Sequence, residues 1–372
     1  MKILYLLPHI TNNGGMERIV IDKINYLVNK GYKVALAYYG SKYDMPFFYI
    51  DKDVKLIPIL NVNSYRKFLD KIKLVPKLFY SLLDIISEEN PDVIVNANVQ
   101  IVSWILPFIR KDIPKIIELH FSYEGLQIMN EEIYGNNRIK ILINNFLRKY
   151  LYPVYDKCVL LTEDDKQAWH FKNSIVIPNF TKLHSNENAI NYNQKAIVVG
   201  RLEYQKNIDI LIKAWRYVYE KYPSWSLDVY GGGSYKEELI NLINELNLDD
   251  VVKLRGITSR IQDEYFSHSL FVLPSRYEGF PLVLVEAMNF GLPCIGFSIP
   301  GNTTIIQDGY NVRIVKERTP EAFAEAIIET IKDKNILIRM SKNAVTSIQR
   351  FNMDTVMNMW INLFDELKHK RK

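Results

Sequence analysis

The sequence predicts an α/β protein: two doubly wound, Rossmann-like domains facing a central cleft. Three observations carry that prediction. The chain has 372 residues, more than one ordinary core holds. Short β-branched runs alternate with longer helical patterns, as parallel strands with crossover helices require. The alternation stops once, at an Asn-rich stretch poor in apolar residues, and then restarts.

In chain order, KILYLLP, KVALAYY, DVIVNAN, KIIELH and KCVLLT read as strands of the first domain. VKLIPIL reads as another, after the charged turn Asp51-Lys52-Asp53. TKLHSNENAINYNQ at 181–194 reads as the linker. The second set is AIVVG at 196–200, SLDVYG at 226–231, VVKLRG at 251–256, LFVLPS at 270–275 and PCIGF at 293–297. The expected domains are 1–185 and 190–350. An amphipathic pattern, MDTVMNMWINLFDEL, ends in the basic KHKRK; a helix over about 353–372 is expected to pack back on the first domain. Ligands of such sheets bind at the carboxyl ends of the strands, here in the cleft between domains.

Composition narrows the function. The chain is 48% apolar and 24% charged, with a net charge of +5. That charge permits anionic small molecules or an anionic membrane surface, and is too weak to argue for nucleic acid. Cys158 and Cys294 form no CxxC pair and read as buried reduced thiols of a cytosolic protein. Six scattered histidines give no zinc spacing. The apolar start MKILYLLPHI is broken by Pro8 and lacks a small-residue cleavage site, so it reads as a strand and not as a signal peptide. IVSWILPFI at 101–109 is too short to span a bilayer, which takes ~20 residues.

EGFPLVLVE, residues 278–286, sets two carboxylates at the ends of an apolar run. Pro281 suits the first turn of a helix, and Gly291 with Pro293 suits its end, so a helix is expected from about Pro281 to Phe290. Its start, with free N–H groups and a positive dipole end, is an anion site. Glu278 lies in the loop beside it; Glu286 projects from the helix further in. A buried carboxylate needs a polar partner. GRLEYQKN, 200–207, follows the strand AIVV and flanks a turn with Arg201 and Lys206, two cations at a cleft mouth suited to a diphosphate.

GRLEYQKN followed by EGFPLVLVEAM resembles the large family of retaining GT-B glycosyltransferases, group 1 or family 4, with Glu278 and Glu286 at its E-x7-E spacing. The resemblance covers most of the chain. It includes the turn Gly14-Gly15-Met16-Glu17-Arg18, His120 at a strand end, the glycines 231–233 and IIQDGYN at 305–311. It implies that Arg201 and Lys206 neutralise the donor diphosphate, with the backbone of Gly279, Phe280 and Pro281 approaching sugar and phosphate. It implies that Glu278 faces the transferred sugar, and that His120 reaches it from the first domain. Glu286 would bind the ribose hydroxyls, Arg255-Gly256 would read the base through backbone, and Gly14 and Gly15 would form a flexible turn near donor phosphate and acceptor. Thr304 and Val312 depart from the usual family pattern, which bears on the sugar and not on the fold.

The expected reaction is transfer of a hexose or N-acetylhexosamine from a nucleoside-diphosphate sugar, UDP favoured, with retention. The acidic clusters Asp51-Lys52-Asp53 and Glu163-Asp164-Asp165 read as turn and helix-cap residues, so no metal and no cofactor are expected. Two basic, apolar segments, 65–86 and 138–155, suit contact with anionic lipid. In the family it resembles, a membrane-facing first domain goes with a lipid-linked acceptor, so the resemblance implies a saccharide linked to a polyprenyl diphosphate, met at the cytoplasmic face of the membrane. An epimerase of the same fold, or a non-catalytic nucleotide-sugar binding protein, are the alternatives.

Overall fold

The computed structural model describes residues 1–60, 68–97, 101–135, 137–182 and 192–370; the side chains of 68–73, 133 and 370 lie outside that description. Most of the expected linker, 183–191, and Arg66 and Lys67 of the first basic segment therefore lie outside the described residues.

The chain forms two compact units, Met1–Asn179 with Asp354–Lys372, and Phe180–Met353. The first is built on β1 (Lys2–Leu7), β2 (Lys33–Tyr39), β3 (Lys55–Ile59), β4 (Val93–Asn96), β5 (Lys115–Glu118), β6 (Lys157–Leu160) and β7 (Ser174–Val176). They make a parallel sheet in the order β3-β2-β1-β4-β5-β6-β7. The second unit carries β8 (Lys195–Val199), β9 (Ser226–Tyr230), β10 (Val252–Gly256), β11 (Leu270–Leu273), β12 (Cys294–Phe297) and β13 (Val312–Val315). Their order is β10-β9-β8-β11-β12-β13, again all parallel.

The central strands are apolar runs without alternation because helices cover both faces of a parallel sheet. β1 is buried from Ile3 to Leu7, and β11 throughout. In the second unit Trp215 and Trp225 are wholly buried among Leu227, Val229 and Ile212. Burying one such side chain contributes on the order of 2–3 kcal/mol.

The order of each sheet reverses once, between β1 and β4 and between β8 and β11. At such a point two neighbouring strands send their following segments to opposite faces, which opens a crevice at their carboxyl ends. The turn holding Gly14 follows β1; the segments holding Lys206 and Glu278 follow β8 and β11.

The helix Met353–Lys370 groups with the first unit from Asp354 on. Tyr26 donates its hydroxyl to Asp354 Oδ1 at 2.6 Å, Lys157 pairs with Glu366 at 3.3 Å, and Lys23 Nζ lies 4.1 Å above the Trp360 ring. The first basic segment is one helix, Phe68–Glu89, with Pro76 inside it. Among the described residues no helix is long and apolar enough to cross a membrane. Cys158 and Cys294 are free and buried.

Candidate active site

β8 and β11 are parallel neighbours, so the segments that leave their carboxyl ends emerge side by side. This places Lys206 against Glu278, 72 residues apart in sequence, with Nζ 2.5 Å from Oε1. Ser275 donates its hydroxyl to the same oxygen at 2.7 Å, and the Gln205 amide reaches Oε2 at 3.4 Å. Both side chains of the ion pair are largely withdrawn from water, 13% and 8% exposed. The Lys206 stem lies along Gly200, where a Cβ would stand 3.0–3.3 Å from its methylenes. Gly233, just past β9, lets the chain approach Leu202 more closely still: a Cβ there would meet the Leu202 carbonyl oxygen at 2.4 Å. Ser275 and Gln205 were not singled out in the sequence. Their signal was position alone, immediately beyond β11 and beside Lys206.

The helix after Glu278 runs Leu282–Asn289, with Pro281 at its N-cap. Pro281 thus sits just ahead of the helix rather than in its first turn. Its carbonyl accepts from Leu284 and Val285, and the first-turn N–H groups of Leu282 and Val283 have no helical acceptor. Gly291, at φ +76°, ends the helix as the sequence suggested. Phe280 turns inward onto Phe351, ring centroids 5.2 Å apart, so at this loop only its backbone faces outward chemistry. Gly301 packs on the loop: a Cβ there would stand 2.7 Å from the Glu278 carbonyl oxygen.

Glu286 is buried, and the Tyr265 hydroxyl lies 3.4 Å from its Oε2. Tyr265 in turn stacks on Phe290 at 5.5 Å. Arg201 is exposed and reaches Gln205 Oε1 at 3.3 Å. Arg255, at the end of β10, bonds Asp228 Oδ1 at 2.8 Å, while His268 Nε2 takes Oδ2 at 3.1 Å. Burial alone would push the Asp228 carboxyl up, but its bonds to His268 and Arg255 hold it below the ordinary value. The Arg255 side chain is therefore tied down structurally, and Gly256, at φ +78°, turns the chain beside it.

In the first unit Gly14 is the N-cap of the helix Gly15–Asn29. Glu17 folds back over it: a Cβ on Gly14 would stand 2.3 Å from Glu17 Oε2, and Asn12 donates to Oε1 at 3.1 Å. The helix N-terminus thus carries its own carboxylate. His120 follows β5 with its side chain only 4% exposed; Nε2 is 3.3 Å from Glu118 Oε1 but makes no hydrogen bond among the described residues. Glu118 bonds Lys23, and both are fully buried. Burial raises the Glu118 carboxyl, yet the Lys23 ammonium and the His120 imidazole outweigh it and hold the group at about 2. Burial lowers the Lys23 ammonium in spite of Glu118. This buried pair was not anticipated; nothing in IELH says that the glutamate points inward to a lysine on another element.

The acidic clusters have local partners. Thr162 Oγ1 caps its helix by accepting from the Asp165 amide at 3.0 Å, and Asp165 accepts from the Tyr123 amide at 2.8 Å. Asp51 Oδ1 accepts from the Asp53 amide at 3.0 Å. Among the described residues no group of three or more His, Cys, Asp or Glu side chains is placed to hold a metal ion.

Residues 13–184 match the family described as Glycosyltransferase Family 4, and residues 180–346 match Glycosyl transferases group 1. The chain is 29% identical over 369 residues to an uncharacterized glycosyltransferase of Haemophilus influenzae, covering 96% of this chain and 98% of that one. It is 26% identical over 382 residues to the amylovoran biosynthesis glycosyltransferase AmsD of Erwinia amylovora, covering 98% and 99%. Among solved structures, the Anabaena protein Alr3699/HepE in complex with UDP superposes with a TM-score of 0.75 at 18% identity, over 98% of this chain and all of that one; at that identity the likeness is one of fold. Two matches that together span 13–346, on two switch-point sheets of the GT-B kind, place the chain in a family of enzymes: it belongs to the group 1, family 4 retaining glycosyltransferases.

Proposed function

We propose that the chain transfers a hexose or N-acetylhexosamine from a UDP-sugar to a lipid-linked saccharide, with retention, in bacterial polysaccharide assembly. The contact of Lys206 with Glu278 at the β8/β11 switch point is the observation that carries this reading. It sets a cation and a carboxylate side by side where the crevice of a doubly wound sheet takes its ligand. UDP is chosen because HepE, of the same fold, holds UDP. Polysaccharide assembly is chosen because AmsD is named for amylovoran biosynthesis.

In this reading Lys206 and Arg201 neutralise the diphosphate, with the N–H groups at the start of the Leu282–Asn289 helix. Glu278, relieved of Lys206, accepts from hydroxyls of the transferred sugar. Glu286 binds the ribose hydroxyls, and the backbone of Arg255 and Gly256 meets the base. His120, held near Glu118, contacts the sugar from the first unit, and the Gly14-Gly15 turn borders phosphate and acceptor. The acceptor oxygen forms its bond to C1 on the face from which the C1–O bond to diphosphate breaks. The departing phosphate oxygen takes the acceptor proton.

The second basic segment supports a lipid-linked acceptor and peripheral membrane contact. The helix Arg138–Leu151 exposes Ile139, Leu142, Ile143, Phe146 and Tyr150, at spacings of one helical face. Arg138, Lys140 and Lys149 are exposed on the same helix. An apolar exposed face flanked by cations suits an anionic lipid surface.

The test is transfer itself. Purified protein with UDP-glucose, UDP-galactose or UDP-N-acetylglucosamine and polyprenyl-diphosphate saccharides should release UDP and form an α-linked product, read by proton NMR. Donor consumed without acceptor would make it an epimerase or hydrolase. Donor bound tightly with no turnover on any acceptor would make it a binding protein.

A further inference from the structure

The helix Arg138–Leu151 is turned inside out. Its exposed face is apolar, while the faces toward the helix Tyr123–Tyr134 are polar: Asn144 is buried, and Asn145 joins Asn130 at 3.1 Å and Gln127 at 3.0 Å. Beside it lies a cavity of about 720 Å³, within the roughly 300–1,000 Å³ that small-molecule pockets occupy. Leu142, Ile143, Phe146, Trp169 and Phe171 give it apolar walls, and Arg148 and Lys149 stand in the same lining. Trp169 and Phe171 stack at 5.1 Å and fix the far wall. Arg148 and Lys149 bring two positive charges to this apolar lining, which suits an anionic group held beside a hydrocarbon chain.

We propose that this cavity binds the hydrocarbon chain and the phosphate of one membrane lipid, and that this lipid is the anchor of the acceptor. The chain lies against the apolar walls, and the phosphate meets Arg148 and Lys149. Charge complementarity and the apolar stripe, which leads from open surface into the cavity along one helix, select such an amphiphile over a neutral hydrocarbon or a free anion. The assignment to the acceptor rests on the lipid-linked reading above; the binding site does not.

The experiment uses the full chain and farnesyl phosphate below its critical micelle concentration, titrated calorimetrically beside geranyl phosphate and inorganic phosphate. Each buried methylene strengthens binding by about fourfold. Farnesyl phosphate should bind at one per chain, geranyl phosphate, one isoprene unit shorter, at least about tenfold more weakly, and inorganic phosphate not measurably. Arg148→Gln should weaken farnesyl phosphate by about tenfold. Ala168→Trp, which fills the cavity from its rim, should abolish it. Far-UV circular dichroism and the thermal transition, read in the same variants, report that both remain folded. Equal binding of farnesyl phosphate to all three proteins would overturn the site. So would a concentration-dependent dimer that Phe146→Ser dissolves, because the stripe would then face a second copy. If farnesyl phosphate binds as described but no polyprenyl-linked saccharide accepts sugar, the acceptor reading falls and the site stands. If transfer to such acceptors is normal in both variants, the acceptor reading stands and the cavity is not its anchor site.

Discussion

Lys206 Nζ lies 2.5 Å from Glu278 Oε1, so the cation proposed for the donor diphosphate and the carboxylate proposed for the donor sugar hold each other. Ser275 steadies the carboxylate at 2.7 Å. In the proposed reading a diphosphate would compete for Lys206 and free Glu278. Lys206→Ala should therefore weaken UDP and UDP-sugar alike by about tenfold or more, near 1.4 kcal/mol. Glu278→Gln should leave UDP affinity within about threefold and cut turnover by roughly a hundredfold, the scale seen when a transition-state contact is removed. Calorimetry and UDP release measure the two. A normal rate in Glu278→Gln removes that residue from the chemistry.

Gly301 reaches the same loop from behind. A methyl group at this position would meet backbone, the Glu278 carbonyl oxygen at 2.7 Å and carbonyl carbon at 3.0 Å, and not the yielding tip of a side chain. Gly301→Ala should displace Glu278 and lower kcat by about tenfold to a hundredfold, since small misplacements at a reacting centre cost that much. The same clash should lower stability by about 1–3 kcal/mol, with the variant still folded at the assay temperature. Unchanged kcat would mean that the Glu278 position is not critical.

Arg255 can distinguish backbone from side-chain recognition in the proposed base site. Its guanidinium is committed to Asp228, which also holds His268. Arg255→Ala should cost about 1 kcal/mol of stability through the lost charged hydrogen bond and leave UDP affinity nearly unchanged. A large loss of affinity with stability intact would show that the side chain leaves Asp228 to contact the nucleotide.

The buried Lys23–Glu118 pair should make the first unit acid-sensitive. Glu118 titrates at about 2 in the fold against an ordinary 4.5. A carboxyl with a depressed value contributes its full stability above the unfolded value and loses it as pH falls. Urea midpoints of the first unit's transition should thus fall between about pH 4.5 and 2. Glu118→Gln should flatten that slope. At neutral pH it should cost on the order of 3–5 kcal/mol, because Lys23 is left buried without its partner. A neutral-pH midpoint unchanged in Glu118→Gln would contradict the pairing.

Most of the sheet was legible because buried parallel strands are short apolar runs, and KILYLL, KVALAYY and SLDVY are such runs. The strands that escaped, β7 and β13, are edge strands. β7 is three half-buried residues, and Arg313 sits inside β13. β7 is too short and β13 too interrupted to give a strand signal. The individual site residues could be picked out of GRLEYQKN and EGFPLVLVE. The meeting of Lys206 with Glu278 could not, since it depends on β8 lying beside β11, a matter of sheet order. Glu118 was equally hidden: its partner Lys23 sits on a helix 95 residues earlier.

Calorimetric titration of the full chain with UDP, GDP and ADP, with and without EDTA and in Glu286→Ala, tests the donor site most directly. Micromolar binding of UDP, indifferent to EDTA and weakened at least about tenfold in the variant, is the expected result. Binding that vanishes with EDTA, or that Glu286→Ala leaves intact, would contradict the arrangement proposed for the second unit.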